Sequence, residues 1–333
     1  MPDPALRPVD SVVIEAPARL HLGFVDLNGS LGRRFGSLGL ALDGIATRLR
    51  ATRAARDLAT GPQAERAAAY ARRLAAEYAL DEGVELTVEQ SIPAHAGLGS
   101  GTQMALAVGT ALSRLHGLGL ETRSLAQLLD RGGRSGIGAG AFDQGGFVLD
   151  GGRGAGGGVP PVTCRLPFPV QWRVLLILDP GIQGLHGGAE AAAFAALPAL
   201  PESAAGRLAR LTLMCVLPGL AEADLGSFGA GISEIQQIIG DHFAPAQGGR
   251  FASPAVARAL EFLYGQGVRC LGQSSWGPTG FAVVESEERA RDLRSQCEQR
   301  LPRAGLEFLV LQARNRGARV LALRGETEEA AGR

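Results

Sequence analysis

The sequence predicts an α+β protein. Segments that read as strands and segments that read as helices follow one another without the steady strand–helix–strand rhythm of a doubly wound sheet. Val84, Leu86 and Val88 place three apolar side chains on one face of a period-two strand, whereas Ala64–Tyr78 is an alanine-rich helix. Two glycine-rich stretches, at 93–101 and 132–158, break the pattern where the chain needs tight turns or close backbone packing.

The elements follow in order. Residues 1–10 read as a loose, proline-bearing tail. Strands are expected at 11–15 and, after a break at Pro17, near 20–25. Residues 38–49 have strand character around a turn at Asp43-Gly44. The helix at 64–78 and the strand at 84–90 lead to a glycine loop and an apolar helix over 102–115. A short helix is expected at 125–129 and a short strand at 146–149. The stretch 151–161 is the expected inter-domain linker, with a long hairpin loop as its alternative, dividing the chain into domains 1–158 and 159–333. Beyond it come a buried strand at 172–178 and helical segments near 188–197, 203–217, 219–240 and 254–264. Two strands within 269–284, a charged helix at 287–300 and strands near 307–311 and 319–323 complete the reading.

Composition excludes several classes of function. The apolar fraction is 46% and the formal net charge is zero, as expected of a globular chain with a large core and not of a general nucleic-acid or membrane-surface binder. Apolar runs such as 174–178 are too short to span a bilayer. The N-terminal Met1-Pro2-Asp3-Pro4 carries no secretory pattern, so a cytoplasmic location is expected. The four cysteines are scattered without metal-ligand spacing and read as core or incidental residues. The sequence contains no lysine. Schiff-base chemistry and a Walker-type phosphate lysine are therefore impossible, and any side-chain cation that meets an anion is arginine or protonated histidine.

The most informative stretch is Ile92-Pro93-Ala94-His95-Ala96-Gly97-Leu98-Gly99-Ser100-Gly101-Thr102-Gln103. It joins an expected strand to an expected helix. Its glycines let the backbone approach a ligand, and the helix start offers unpaired N–H groups with partial positive charge, a combination suited to phosphate. It is neither the Walker pattern nor the dinucleotide fingerprint. Its Pro93, Gly97, Leu98, Gly99 and Ser100 resemble the second motif of the GHMP kinase superfamily, P-x-x-x-G-L-G-S-S-x-A, with Gly101 in place of the second serine. Ala16-Pro17-Ala18-Arg19-Leu20-His21-Leu22-Gly23 resembles the first motif, and Leu271-Gly272-Gln273-Ser274-Ser275-Trp276-Gly277-Pro278-Thr279-Gly280 the C-terminal one. The resemblance implies an N-terminal α+β domain, a C-terminal ferredoxin-like domain and an active site between them.

The departures point to a branch of that superfamily. Ala18-Arg19-Leu20-His21, Gly97 to Gln103, Arg134-Ser135-Gly136-Ile137-Gly138, Phe142-Asp143-Gln144-Gly145-Gly146-Phe147 and Gln273 to Pro278 resemble the β-ribofuranosylaminobenzene 5′-phosphate synthases. This implies condensation of phosphoribosyl pyrophosphate (PRPP) with 4-aminobenzoate or 4-hydroxybenzoate, with loss of carbon dioxide and pyrophosphate, in tetrahydromethanopterin synthesis. It also implies magnesium, leans toward a homodimer, and leaves no role for an organic cofactor, nucleic acid or membrane. On that reading the loop His95, Gly97, Leu98, Gly99, Ser100, Gly101, Thr102 and Gln103 holds pyrophosphate, with Ser274 and Ser275 facing it. Asp143 stabilises positive charge on the ribose or, with Ser100, holds the metal. Arg19, or Arg33 and Arg34, meets the benzoate carboxylate. His21 handles a proton, since its ordinary pKa is near neutral, and Asp26 orients it or binds a ribose hydroxyl.

Plainer roles stand beside these: a structural ion pair for Arg19, a satisfied core position for His21, and helix capping for Ser100. A solvated helix face suits His186 and Glu190, and His116 and His242 read as incidental. The rival functions are an ATP-dependent GHMP kinase and a non-catalytic ligand-binding protein on the same fold. The common phosphoribosyltransferase fingerprint, a strand ending in paired acids before a Thr/Gly loop, is missing.

Overall fold

The computed structural model describes residues 9–185, 187–302 and 304–323; the expected tail lies, through residue 8, outside them. Among the described residues the first sheet contains β1 (Ser11–Asp26), β2 (Arg33–Ala54), β3 (Leu58–Thr60), β4 (Gly83–Gln90), β5 (Phe147–Asp150), β6 (Arg153–Gly154) and β7 (Val162–Leu166). The second is built from β8 (Arg173–Leu178), β9 (Cys270–Gln273), β10 (Gly280–Val284) and β11 (Glu307–Leu311), and β12 (Arg319–Leu323) returns to the first. The spine of the first sheet runs β12-β1-β2-β4-β3, with β5 pairing both β2 and β7, while the second runs β11-β8-β10-β9.

Pro17 does not end the first strand. β1 continues through it, and the β1–β2 register shifts between Pro17 and Arg19, a bulge that accommodates a residue without an N–H. The stretch 151–161 is a hairpin connection, because β5 and β7 pair antiparallel across it. The boundary expected between residues 158 and 159 is thereby corrected. The first sheet keeps the chain to Leu166 and reclaims it at β12, so the second sheet is an insertion between two parts of the first unit.

Helices α1 (Ala64–Tyr78), α2 (Ser100–Leu115), α3 (Thr122–Leu128) and α4 (Ile137–Asp143) belong to the first unit. Leu74 of α1 and Met104 and Leu112 of α2 pack on Val12, Ile14, Leu49 and Leu86 of the sheet. After β8 come α5 (Gly187–Ala196), α6 (Glu202–Leu211), a π-helical turn at Thr212–Val216, α7 (Leu217–Ala221), α8 (Leu225–Gln247), α9 (Pro254–Gly265) and, after β10, α10 (Glu287–Arg300). The order of strands and helices through the second sheet is that of a ferredoxin-like unit, with α9 and α10 covering Leu175 and Ile177 through Leu260 and Leu293.

The other face of the first sheet shares a core with the second unit. Leu20, Leu22, Leu38 and Leu40 join Ile232 and Ile235 of α8, Val174 and Leu176 of β8 and Phe281 of β10 in one buried cluster. Full burial of each such side chain contributes roughly 1.5–3 kcal/mol, so the two units meet through a continuous core and hold their loops in fixed register. The stretch Glu202–Ala221 corrects the expectation that every apolar run is short: by length and composition it could cross a membrane. Here Leu208, Leu211, Val216 and Leu220 are buried in that same shared core.

Candidate active site

The site begins at two irregularities in β1. Its pairing with β2 shifts between Pro17 and Arg19 and again between His21 and Gly23. Bulges re-aim side chains, and these two bracket Arg19 and His21. Arg19 is pinned to the glycine loop: its amide N–H donates to the Leu98 carbonyl at 3.0 Å and its Nη1 to the Gly97 carbonyl at 2.6 Å. Its stem passes so close to Gly99 that a β-carbon there would stand 3.2 Å from Cγ.

The loop turns through left-handed backbone at His95, Gly97 and Gly99 (φ 57°, 83° and 84°). α2 then starts at Ser100 with Gly99 at its cap position and no side chain accepting from its first turn. Capping by Ser100 is therefore ruled out, whereas α8, α9 and α10 are capped by Asp224, Ser253 and Ser286. The second unit closes on this loop. Ser274 donates its hydroxyl to the Gly97 carbonyl at 2.8 Å and accepts from the His21 N–H at 2.9 Å. A β-carbon on Gly97 would fall 2.3 Å from the Ser274 carbonyl oxygen, so this contact admits only glycine. From the third side, Gly184 donates to the His95 carbonyl at 3.1 Å.

Three further groups complete the site. Arg131 lies beside the first turn of α2, its Nη2 donating to the Tyr70 hydroxyl at 2.5 Å. Arg134 pairs with Glu190 at 2.5 Å and lies over the Phe194 ring. Phe194 belongs to an aromatic cluster with Phe24, Phe35, Phe243 and Trp276, in which Phe243 and Trp276 stack at 4.1 Å. His21 sits 4.4 Å from Phe24. Buried nitrogens without a hydrogen-bond partner among the described residues gather in this region: Arg19 Nε, His21 Nε2, Arg34 Nε, Arg131 Nε and Trp276 Nε1. Each costs about 1–3 kcal/mol when left unsatisfied, so several together mark where a ligand brings acceptors.

Burial, reinforced by the charges of Arg19 and Arg134, pushes the His21 pKa down to about 3. This corrects the expectation of an imidazole titrating near neutrality: at pH 7 the ring is neutral and stays so. Burial also lowers Arg19, to about 10, against the pull of Glu190. Arg19 remains a cation.

Asp143 is not brought to the loop. It ends α4, accepts a short hydrogen bond from the Thr122 hydroxyl, and lines a separate cavity with Thr110 and Ser113. Those two lie about three turns along α2 from Ser100, roughly 15–20 Å at 1.5 Å per residue. The Ser100–Asp143 metal pair is thereby corrected, and among the described residues no group of three His, Cys, Asp or Glu could hold a metal. The α4 residue that meets the start of α2 is Gly138, against Thr102.

Other expected residues have local work. Asp26 accepts from the Asn28 and Gly29 amides and closes a turn. Arg33 donates to the Gly151 and Gly152 carbonyls, away from the loop, whereas Arg34 lies over Phe35 beside the aromatic cluster. Fully buried Gln103 ties α2 to the Gly138 carbonyl, and Ser275 accepts from Gln273 through its carbonyl. Leu98 is core. His186 lies outside the described residues. Its expected neighbour Glu190 is no solvated face but the partner of Arg134. Sequence reasoning missed Arg131 and read Glu190 as a solvated face, because the contacts of both are long-range.

The sequence matches the family described as GHMP kinases N terminal domain over residues 64–151 and that described as GHMP kinases C terminal over residues 216–303. It is 36% identical over 327 residues to the β-ribofuranosylphenol 5′-phosphate synthase of Archaeoglobus fulgidus, covering 92% of this chain and 98% of that one. To the Methanothermobacter thermautotrophicus protein of the same name it is 31% identical, covering 84% and 90%. Among solved structures it resembles a homoserine kinase from Cytophaga hutchinsonii (TM-score 0.64, 19% identity, 94% and 98% covered). It likewise resembles the L. major mevalonate kinase in complex with R-mevalonate (TM-score 0.67, 13% identity, 93% and 99% covered). These two likenesses concern the fold.

Proposed function

The chain belongs to the β-ribofuranosylphenol 5′-phosphate synthase family on the GHMP kinase fold, and from that premise we propose that it joins the ribose of PRPP to a 4-substituted benzoate, releasing pyrophosphate and carbon dioxide. It is an enzyme of this synthase kind; the identity of its two substrates is our reading. One observation carries it: an uncapped helix start bordered by Arg19 stands beside an aromatic cluster edged by Arg34 and Arg134. The first suits a diphosphate and the second an aromatic acid.

The chemistry matches the residues. As the ribose C1–oxygen bond breaks, its electron pair leaves with pyrophosphate, and the N–H groups of the loop with Arg19 receive the growing negative charge. The ring carbon bearing the carboxylate forms the new carbon–carbon bond. The bond to carboxylate then breaks and returns its electron pair to the ring as carbon dioxide departs. No proton need be moved in this exchange, which suits a His21 that is neutral and a poor base. His21 serves instead as a neutral hydrogen-bonding group. Burying the carboxylate among Phe24, Phe194 and Trp276 withdraws its hydration and favours its loss. We further propose that magnesium would be held chiefly by the substrate's diphosphate, whose leaving charge it would help to neutralise, because among the described residues no group of three His, Cys, Asp or Glu could hold a metal. A kinase would want a base beside the acceptor hydroxyl, and the α4 position facing the loop is Gly138.

The test incubates purified protein with PRPP, magnesium and carboxyl-labelled benzoates. Release of labelled carbon dioxide that depends on PRPP is the expected result. ATP consumption without such release would return the chain to the kinases.

A further inference from the structure

We propose that Arg131 is a binding residue for the substrate's diphosphate, the cation that this chain places where the superfamily's motif carries a second serine. The proposal rests on the reading of the glycine loop given above and adds a residue to it. Arg131 immediately precedes the glycine-rich run and follows α3, and its chain neighbours give no hint of a role.

The geometry is specific. A β-carbon at Gly101 would lie 3.6 Å from Arg131 Cζ and Nη1, so the guanidinium fills the space beside the position where a serine side chain would stand. Tyr70 of α1 holds it there. The tyrosine hydroxyl accepts from Arg131 Nη2 at 2.5 Å and donates to the Gly101 carbonyl at 3.3 Å, while the guanidinium carbon lies 5.4 Å from the ring centroid. Arg131 Nε is buried without a partner. Beside Gly99 at the same helix start, Arg19 Nε is also buried and, among the described residues, unpartnered. Two guanidiniums thus border one uncapped helix N-terminus, each keeping an N–H in reserve. A diphosphate has the charge and the number of acceptor oxygens to answer both. Exchanging a hydroxyl at position 101 for a neighbouring arginine replaces a neutral contact by a permanent positive charge in a chain that has no lysine to offer.

Calorimetric titration with inorganic pyrophosphate, without the benzoate, tests this independently of turnover. Wild-type protein should bind it, and Arg131→Gln should weaken binding about tenfold or more, the loss expected for one charge-assisted contact. Arg131→Lys keeps the charge but not the planar fork and should recover part of the affinity. Tyr70→Phe, which frees the guanidinium without removing it, should weaken binding about threefold. In turnover the KM for PRPP should rise and kcat should fall with it, because the diphosphate that Arg131 would hold is also the leaving group. Equal pyrophosphate affinity in wild type and Arg131→Gln, or in wild type and Arg131→Lys should the glutamine variant not fold, overturns this inference and leaves the loop reading standing. Failure of wild-type protein to bind pyrophosphate overturns both.

Discussion

The two ends of the α2–α4 pair make an instructive contrast. At one end α2 begins uncapped on Gly99, with Arg19, His21, Arg131 and Trp276 holding buried nitrogens that no group among the described residues satisfies. At the other, Asp143 has the residue type expected of a catalytic acid, yet its carboxylate is answered by Thr122 in a cavity of about 420 Å³ whose other walls include Thr110, Ser113 and Arg114. The lesson concerns what marks a site. Residue type at a motif position is a weaker sign than unsatisfied hydrogen-bonding capacity, because leaving a buried donor unanswered has a standing cost that only a ligand can remove.

The contrast can be broken most forcefully at Gly97. Alanine there would hold a left-handed backbone at a cost of about 1–3 kcal/mol. Its methyl would also collide with the Ser274 carbonyl, a contact no rotamer relieves. Turnover should fall by about two orders of magnitude or more as loop and second unit part, and the melting temperature should drop. Activity near wild type would mean that the loop–loop contact does not set the site.

His21 sharpens the same contrast through pH. Its folded pKa of about 3 lies below the unfolded value, so the unfolded state takes up the proton first and stability falls as pH drops below about 6.5. By pH 5 the loss attributable to this ring is on the order of 2 kcal/mol. In urea titrations across that range, His21→Asn should show a flatter acid limb than wild type. Identical limbs would mean that the ring protonates freely in the folded protein.

The smallest effect is expected at Asp143. Burial raises its carboxyl above the ordinary value, opposed by the Thr122 hydrogen bond. A raised folded pKa means that Asp143 disfavours folding once pH rises past its unfolded value. Asp143→Asn should therefore melt at the same or a slightly higher temperature at pH 7, with turnover within about twofold. A loss of orders of magnitude would move the chemistry to that end of the helices.

Much of this was legible in the sequence. Period-two alternation gave the strand around Val84–Val88, and the alanine-rich and charged helices lie within a residue or two of their expected bounds. The glycine loop and its meeting with Ser274 followed from three motifs in order. What could not be read is what depends on contacts between distant segments. Pro17 reads as a break until β2 shifts register around it. Gly151–Pro161 reads as a linker until Val162 onward pairs back on β5. A histidine reads as a neutral-pH switch until Arg19, Arg134 and the aromatic cluster surround it. Composition alone likewise gave no sign that Arg131 would lean over Gly101.

The return of β12 to β1 has a consequence for how the protein is made. Ser11 pairs with Leu323 and Glu15 with Arg319, so β1 waits with one flank open while the ribosome produces everything between, including the whole second sheet. Through that interval the nascent chain carries an unfinished sheet edge, the kind of surface that recruits a neighbouring strand or a chaperone. Assembly of the first unit is therefore not vectorial, and a chain halted before β12 emerges would have the glycine loop already translated but not yet the frame that closes around it.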